Sequence, residues 1–136
     1  MITFKEENIN TTATGETRQH LADVIKSQVK YLNNVAQAFA NRENDEDSHE
    51  QWDEIECDLL EIEPQIEMSF SAYRERGEFD NITLCLGLGG PNVYLSLDNG
   101  TLKVCWGGSV ATYNTGLSYE TEWVGYIWDY MEQSFK

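Results

Sequence analysis

Asn81 to Gly108 reads NITLCLGLGGPNVYLSLDNGTLKVCWGG, and it decides the fold because it alone sets a strand register. Asn99-Gly100 lies between two alternating apolar runs. That is the strongest short-range hairpin signal, since both central residues of a type I′ turn need positive φ. With these two residues as the loop, Leu97 faces Leu102, Leu95 faces Val104 and Val93 faces Trp106. Tyr94, Ser96, Lys103 and Cys105 then point to the opposite face. A slip of one residue would turn the apolar face to water, so pattern and turn chemistry agree on one register.

Upstream, Ile82, Leu84, Leu86 and Leu88 alternate with period two until Gly89, Gly90 and Pro91 break the strand. This glycine run lacks the Lys-Ser/Thr of a phosphate loop and leads into a strand rather than a helix. It therefore reads as a corner, with Pro91 opening the next strand where its missing N–H does no harm. Downstream, Gly107-Gly108 end the hairpin, and Val110 to Tyr113 predict a further strand before a turn at Asn114 to Gly116. Ser118 can cap a C-terminal helix whose stripe is Trp123, Ile127, Tyr130 and Met131, with Val124, Trp128 and Phe135 beside it.

The N-terminal half changes period. Leu21, Val24, Ile25, Gln28, Leu32, Val35 and Phe39 recur at steps of three and four, which predicts an amphipathic helix over 17–40 capped by Thr14 or Thr17. The polar run 41–48 separates it from a second helix starting at a Ser48 cap, with Trp52, Ile55, Leu59, Ile62 and Ile66 inward and Phe70 and Tyr73 extending it. Pro64 falls inside this pattern and predicts a kink or two abutting helices. Arg74 to Gly77 carry the signals of its end. Residues 1–16 fit a loose arm or an edge strand equally. The order predicts an α+β fold of one domain, 1–136: two N-terminal helices, a three- to four-stranded antiparallel sheet and a C-terminal helix packed on the sheet.

With 24 acidic and 9 basic residues among 136, the formal charge is −15. Such a chain repels phosphate backbones and anionic membranes, so neither direct nucleic-acid nor membrane binding is expected, and partners should be neutral or basic. Apolar residues still make up 40% and are periodic, which sets the chain apart from disordered acidic segments. Cys57, Cys85 and Cys105 are odd in number and widely spaced, against a disulfide framework. No run approaches a membrane span and the start lacks a signal pattern, so the expected location is the cytoplasm.

The excess charge is concentrated. Residues 43–67 hold twelve acids and no Lys or Arg. At about 100° per residue, with Trp52, Ile55 and Leu59 inward, Glu46, Glu50, Asp53, Glu54 and Glu61 point furthest outward, with Asp45, Asp47 and Asp58 beside them. Cys57 and, less fully, Leu60 share that face as apolar contacts. One reading is a solvated face that keeps the protein soluble. The other is a binding surface that resembles the charge of a nucleic-acid backbone and occupies the basic channel of a nucleic-acid-binding protein through charge-assisted pairs with its Arg and Lys.

Other chemistry is poorly served. The acidic turn lacks the glycine at the sixth position that a Ca²⁺ loop requires, and His20, His49 and the cysteines lack zinc spacings. Each histidine reads as an exposed helix residue, and Cys85 and Cys105 as small residues on the second sheet face. A Cys–His nucleophilic pair has no defined partner among them. No metal, cofactor or catalytic residue is expected, and the chain reads as a non-enzyme.

The run Leu86-Gly87-Leu88-Gly89-Gly90-Pro91, an apolar strand, the Asn-Gly turn and a strand ending in Trp106-Gly107 resembles a segment of small acidic proteins of phages and mobile elements. Some of those block host defence as anti-restriction or anti-CRISPR inhibitors. The likeness covers about 25 of 136 residues. It concerns a structural corner and implies neither a target nor a binding residue. Taken with the acidic helix face, the expectation is a stoichiometric inhibitor of a nucleic-acid-targeting complex in the host cytoplasm, with the carboxylates above facing a basic effector. A non-enzymatic binding module, homodimeric and using aromatics such as Tyr94, Tyr113 or Tyr119, is the competing expectation.

Overall fold

The computed structural model describes residues 1–68 and 79–134. In chain order these form β1 (Asn10–Thr11), α1 (Gly15–Asn41), α2 (Glu46–Leu60), β2 (Gln65–Glu67), β3 (Asn81–Gly87), β4 (Asn92–Ser96), β5 (Thr101–Trp106), β6 (Ser109–Asn114) and α3 (Glu122–Ser134). The α+β order is as expected, but the sheet has six antiparallel strands, ordered β1-β6-β5-β4-β3-β2, instead of three or four. The additions are the edges. β1 pairs Asn10 with Thr112, and β2 pairs Ile66 with Ile82. Strands of two and three residues are too short to show the alternation that marks a strand in sequence.

β2 also corrects the second helix. α2 stops at Leu60, and Ile66 enters the sheet instead of continuing a helical seam past a kink. Pro64 disfavours helical angles at Glu63 and cannot donate to a helix, so the chain leaves the helix before it. The expected extension through Phe70 and Tyr73 and the end at Arg74 to Gly77 lie outside the described residues. At its other end α2 is capped by Asp45, whose carboxylate accepts the Ser48 N–H at 2.7 Å, and not by Ser48 itself.

The organising hairpin has the expected face and a different register. Leu95 pairs with Leu102 and Val93 with Val104, two residues from the pairing expected, and Trp106 pairs with Ser109. A slip of two preserves parity, so Leu95, Val93, Leu102 and Val104 still share the buried face. Leu97 has left the ladder: it is fully buried, and its N–H donates to the Ile82 carbonyl at 2.9 Å. The loop therefore spans Leu97 to Gly100 and is closed by the Gly100 N–H donating to Ser96 O at 2.9 Å. Only Gly100 has positive φ, +73°, and its missing Cβ lets the Leu117 backbone pass directly over it. The Thr115 hydroxyl donates to the Gly100 carbonyl at 2.6 Å, fixing that crossing. The two-residue turn with both φ positive lies instead at Gly107-Gly108, at +56° and +82°, joining β5 to β6.

All three helices contribute to a core on one side of the sheet. α1 lies over β5 and β6, α2 over β3, and α3 packs beside α1. Leu21, Ile25, Leu32 and Val35 of α1 meet Leu84, Leu95, Leu102 and Val104 from the sheet, with Trp52, Leu59, Trp123 and Ile127 in the same cluster. At about 25 cal/mol per Å² this continuous apolar burial is the main term holding the helices to the sheet. Among the described residues, no helix is long and apolar enough to cross a membrane.

Candidate protein-interaction surface

Two parts of α2 acquire their acids for different reasons. At the N-terminus, Asp45 is the cap, and Glu46 and Asp47 occupy the first turn, where free N–H groups and the helix dipole favour negative charge. The Ser48 N–H and then the Ser48 side chain hold the Asp45 carboxyl below its ordinary range. These three residues have a structural role in starting the helix. Glu50, Asp53, Glu54, Asp58 and Glu61 do not.

All eight expected residues, Asp45, Glu46, Asp47, Glu50, Asp53, Glu54, Asp58 and Glu61, are exposed. Glu46, Glu50, Glu54 and Asp58 follow one another at i, i+4 and form a line of like charge along the helix. Each such pair costs a helix a few tenths of a kcal/mol. The local relief is small: His49 Nε2 lies 3.5 Å from Asp53 Oδ2, with both side chains open to solvent. Seven carboxylates on the 15-residue helix give one charge per about 3 Å of axis at 1.5 Å rise per residue. One DNA strand carries a phosphate per roughly 3.4 Å. Cys57 is exposed on this surface as expected. Leu60 is not: it packs partly buried against the core at the end of α2.

The surface continues onto α3, which sequence reading placed as a core helix. Trp123, Val124, Ile127 and Trp128 are buried as expected, but Tyr130 is 47% exposed and is joined outside by Tyr126 and Tyr119. Tyr126 bridges the two helices. Its ring packs on Phe39 and Trp52, with centroids at 5.3 and 5.9 Å, and its hydroxyl donates to Glu56 Oε2 at 3.5 Å. Partial burial, and then the Glu56 charge, raise its pKa. The Tyr119 hydroxyl donates to Asp129 Oδ1 at 2.8 Å, which raises the tyrosine's pKa, while its ring meets Trp128 edge-on. Trp128 Nε1 donates to Glu132 Oε1 at 2.5 Å. Beside this cluster the Arg42 guanidinium lies 3.7 Å from the Phe39 ring centroid, and its Nη1 donates to the Phe39 carbonyl at 2.7 Å. Helical spacing of three and four places Glu122, Tyr126, Asp129 and Tyr130 on one side, but an aromatic on a helix reads as core when only periodicity is available.

The other aromatics resolve differently. Tyr113 is buried: its hydroxyl accepts the Lys5 N–H at 3.0 Å and donates to Thr3 O at 3.2 Å. His20 is half-buried and not exposed. Its ring meets that of Trp106 at a 49° tilt with centroids 4.6 Å apart, and its Nε2 is shut off from solvent without a hydrogen-bond partner among the described residues. Tyr94 lies on the open face of the sheet, in a shallow groove of about 540 Å³ lined also by Gln65, Thr83, Ser96, Asn99, Thr101, Lys103 and Cys105. This lining is hydroxyl and amide with one cation and no carboxylate.

Among the described residues, no three His, Cys, Asp or Glu side chains converge as a metal set. The three cysteines are free thiols, Cys85 buried and Cys105 half-buried. What the α2–α3 surface can do is present dense negative charge, interleaved with tyrosine rings held by carboxylates, to something positively charged. Compared with known proteins, the chain matches no protein-family model, no curated protein and no solved structure.

Proposed function

We propose that the chain is a stoichiometric, non-enzymatic inhibitor of a nucleic-acid-targeting host defence complex, of anti-CRISPR or anti-restriction type. Its acidic α2 face would occupy a basic channel that otherwise holds nucleic acid. The observation that carries this reading is the charge spacing on α2. Seven carboxylates lie along one short helix, four of them in an i, i+4 line without a cation between them, at a density close to that of a nucleic-acid strand. Capping accounts for Asp45, Glu46 and Asp47. The remaining acids weaken the helix and are better accounted for by a partner that supplies the missing positive charge.

The test is competition. A CRISPR or restriction effector with bound fluorescent DNA is titrated with the full chain and with a variant carrying Glu50→Gln, Asp53→Gln, Glu54→Gln and Asp58→Gln. Displacement of DNA by the wild type, weakening steeply between 50 and 200 mM salt and lost in the variant, is the expected result. Equal displacement by both proteins, or none by either across effector classes, overturns the reading. The second reading is a homodimeric protein-binding module whose acidic face serves only solubility, and the exposed Tyr119 favours it. It predicts a dimer in sedimentation that persists at high salt.

A further inference from the structure

We infer that the exposed tyrosines of α3 and of the turn before it, joined to α2 through Tyr126 and Glu56, form an arginine-selective docking surface for a basic segment of a partner protein. This rests on the acidic α2–α3 surface being an interface, and it adds which cation that interface prefers. Tyr119, Tyr126 and Tyr130 are 52%, 39% and 47% exposed, and large aromatics left in water at this level are the side chains that dominate protein interfaces. Two of the rings are positioned before any partner arrives. The Tyr119 hydroxyl donates to Asp129 and the Tyr126 hydroxyl to Glu56, so each ring stands beside a carboxylate that retains free acceptor positions.

That pairing distinguishes the two basic side chains. A guanidinium is flat: it can lie over a ring while its N–H fork bonds the adjacent carboxylate, and it sheds water readily. An ammonium is a compact, strongly hydrated charge that gains little from the ring. The molecule already shows the first arrangement internally, with Arg42 over Phe39 at 3.7 Å while its Nη1 donates to a carbonyl oxygen. Charge complementarity favours a basic occupant. α3 carries Glu122, Asp129 and Glu132 and no Lys or Arg, α2 beside it has neither, and the cation near Tyr126 is Arg42, seated on the Phe39 ring.

The experiment titrates the full chain with nona-arginine and nona-lysine peptides of equal charge, by calorimetry at 150 mM salt. Three proteins are compared: the wild type, Tyr119→Leu/Tyr130→Leu, and the α2 variant Glu50→Gln/Glu54→Gln/Asp58→Gln. Neither tyrosine substitution alters net charge, and circular dichroism checks folding. Tyr126→Phe keeps the ring in its packed site and removes only the hydroxyl bond to Glu56, so it should lower the ratio less than the double tyrosine variant does. The wild type should bind the arginine peptide about tenfold more tightly than the lysine peptide. That ratio should fall toward one in the tyrosine variant and persist in the α2 variant while both affinities drop.

A wild-type ratio near one, or a ratio unchanged by the tyrosine substitutions, overturns the proposal, even if the α2 variant binds more weakly and so upholds the acidic interface. Selectivity in a protein whose α2 charges prove irrelevant to affinity would uphold α3 and overturn α2. Failure of both peptides to bind the wild type overturns both.

Discussion

The helical side and the open sheet face of this molecule differ in charge more than in shape. From Asn81 to Asn114 the chain forms four strands with one acid, Asp98, and one base, Lys103. The 15 residues of α2 carry seven acids and no Lys or Arg. A net charge of −15 spread evenly would put carboxylates on the sheet as well. Instead the open face is hydroxyl and amide around Lys103. Antiparallel pairs tolerate like charges poorly when they stand directly opposite, and β3 to β6 carry only Lys103, with Glu67 on the edge strand β2. Seven of the 24 acids are gathered on α2, an element attached to the sheet by one buried stripe. The sheet acts as scaffold, and the α2–α3 side is where the charge is presented.

The most damaging way to break this division is to attack the scaffold. Leu95 is fully buried between its partners Leu84 and Leu102 at the centre of the inner face. Leu95→Ala should lower unfolding free energy by about 2–5 kcal/mol, read as a fall in urea midpoint with little change in slope. Any loss of partner binding should follow the fraction unfolded. A folded Leu95→Ala protein that binds poorly would mean that scaffold and interface are not separable.

A smaller effect separates capping acids from the others. Asp45 has its pKa lowered by the Ser48 N–H. A carboxylate depressed in the folded state contributes stability above its unfolded pKa, about 3.9, and that contribution is lost as pH falls through the lower folded value. Asp45→Ala should lower the urea midpoint at pH 7 by removing the acceptor. Asp45→Asn keeps an acceptor, so the gap between it and the wild type should be present at pH 7 and close as the pH falls below 3.9. A gap that widens in acid would contradict the cap as the cause.

The line of like charge should behave in the opposite sense. Glu54 has Glu50 and Asp58 at i−4 and i+4, and relieving two repulsions of about 0.2–0.5 kcal/mol each should make Glu54→Gln slightly more stable than the wild type. The same substitution should weaken binding of a basic partner. Stability gained with binding lost is the signature of a charge kept for interaction. Stability gained with binding unchanged would return that acid to the solvated surface.

These contrasts bear on what could be read from the chain beforehand. The face of the hairpin was legible because side-chain direction depends only on odd or even position, and a slip of two leaves it intact. The register was not, since Asn99-Gly100 carries a strong turn signal yet Gly100 is used for the crossing of Thr115 and Leu117, a contact from fifteen residues away. Pro64 was legible as a disturbance, but whether a helix kinks there or gives way to a strand depends on the pairing of Ile66 with Ile82. The carboxylates of α2 could be placed outward from 3.6-residue periodicity alone. Tyr130 could not, because an aromatic at helical spacing looks the same in sequence whether it enters a core or stands beside it.

The finest test of the comparison lies on the neutral side. Lys103 is exposed on the open sheet face, with Tyr94 beside it across the β4–β5 pair. If the charge-bearing side alone meets a basic partner, Lys103→Gln should leave both affinity and its salt dependence unchanged within error. Removing a cation makes the chain more negative, so a general effect of net charge would instead tighten binding slightly, and more so at low salt. A loss of binding would have a different meaning, because it requires direct contact of the partner with the sheet. Salt titrations of the wild type and Lys103→Gln against the same effector therefore separate local recognition by α2 and α3 from attraction to the protein as a whole, which the acid-to-Gln variants alone cannot do, since they change both at once.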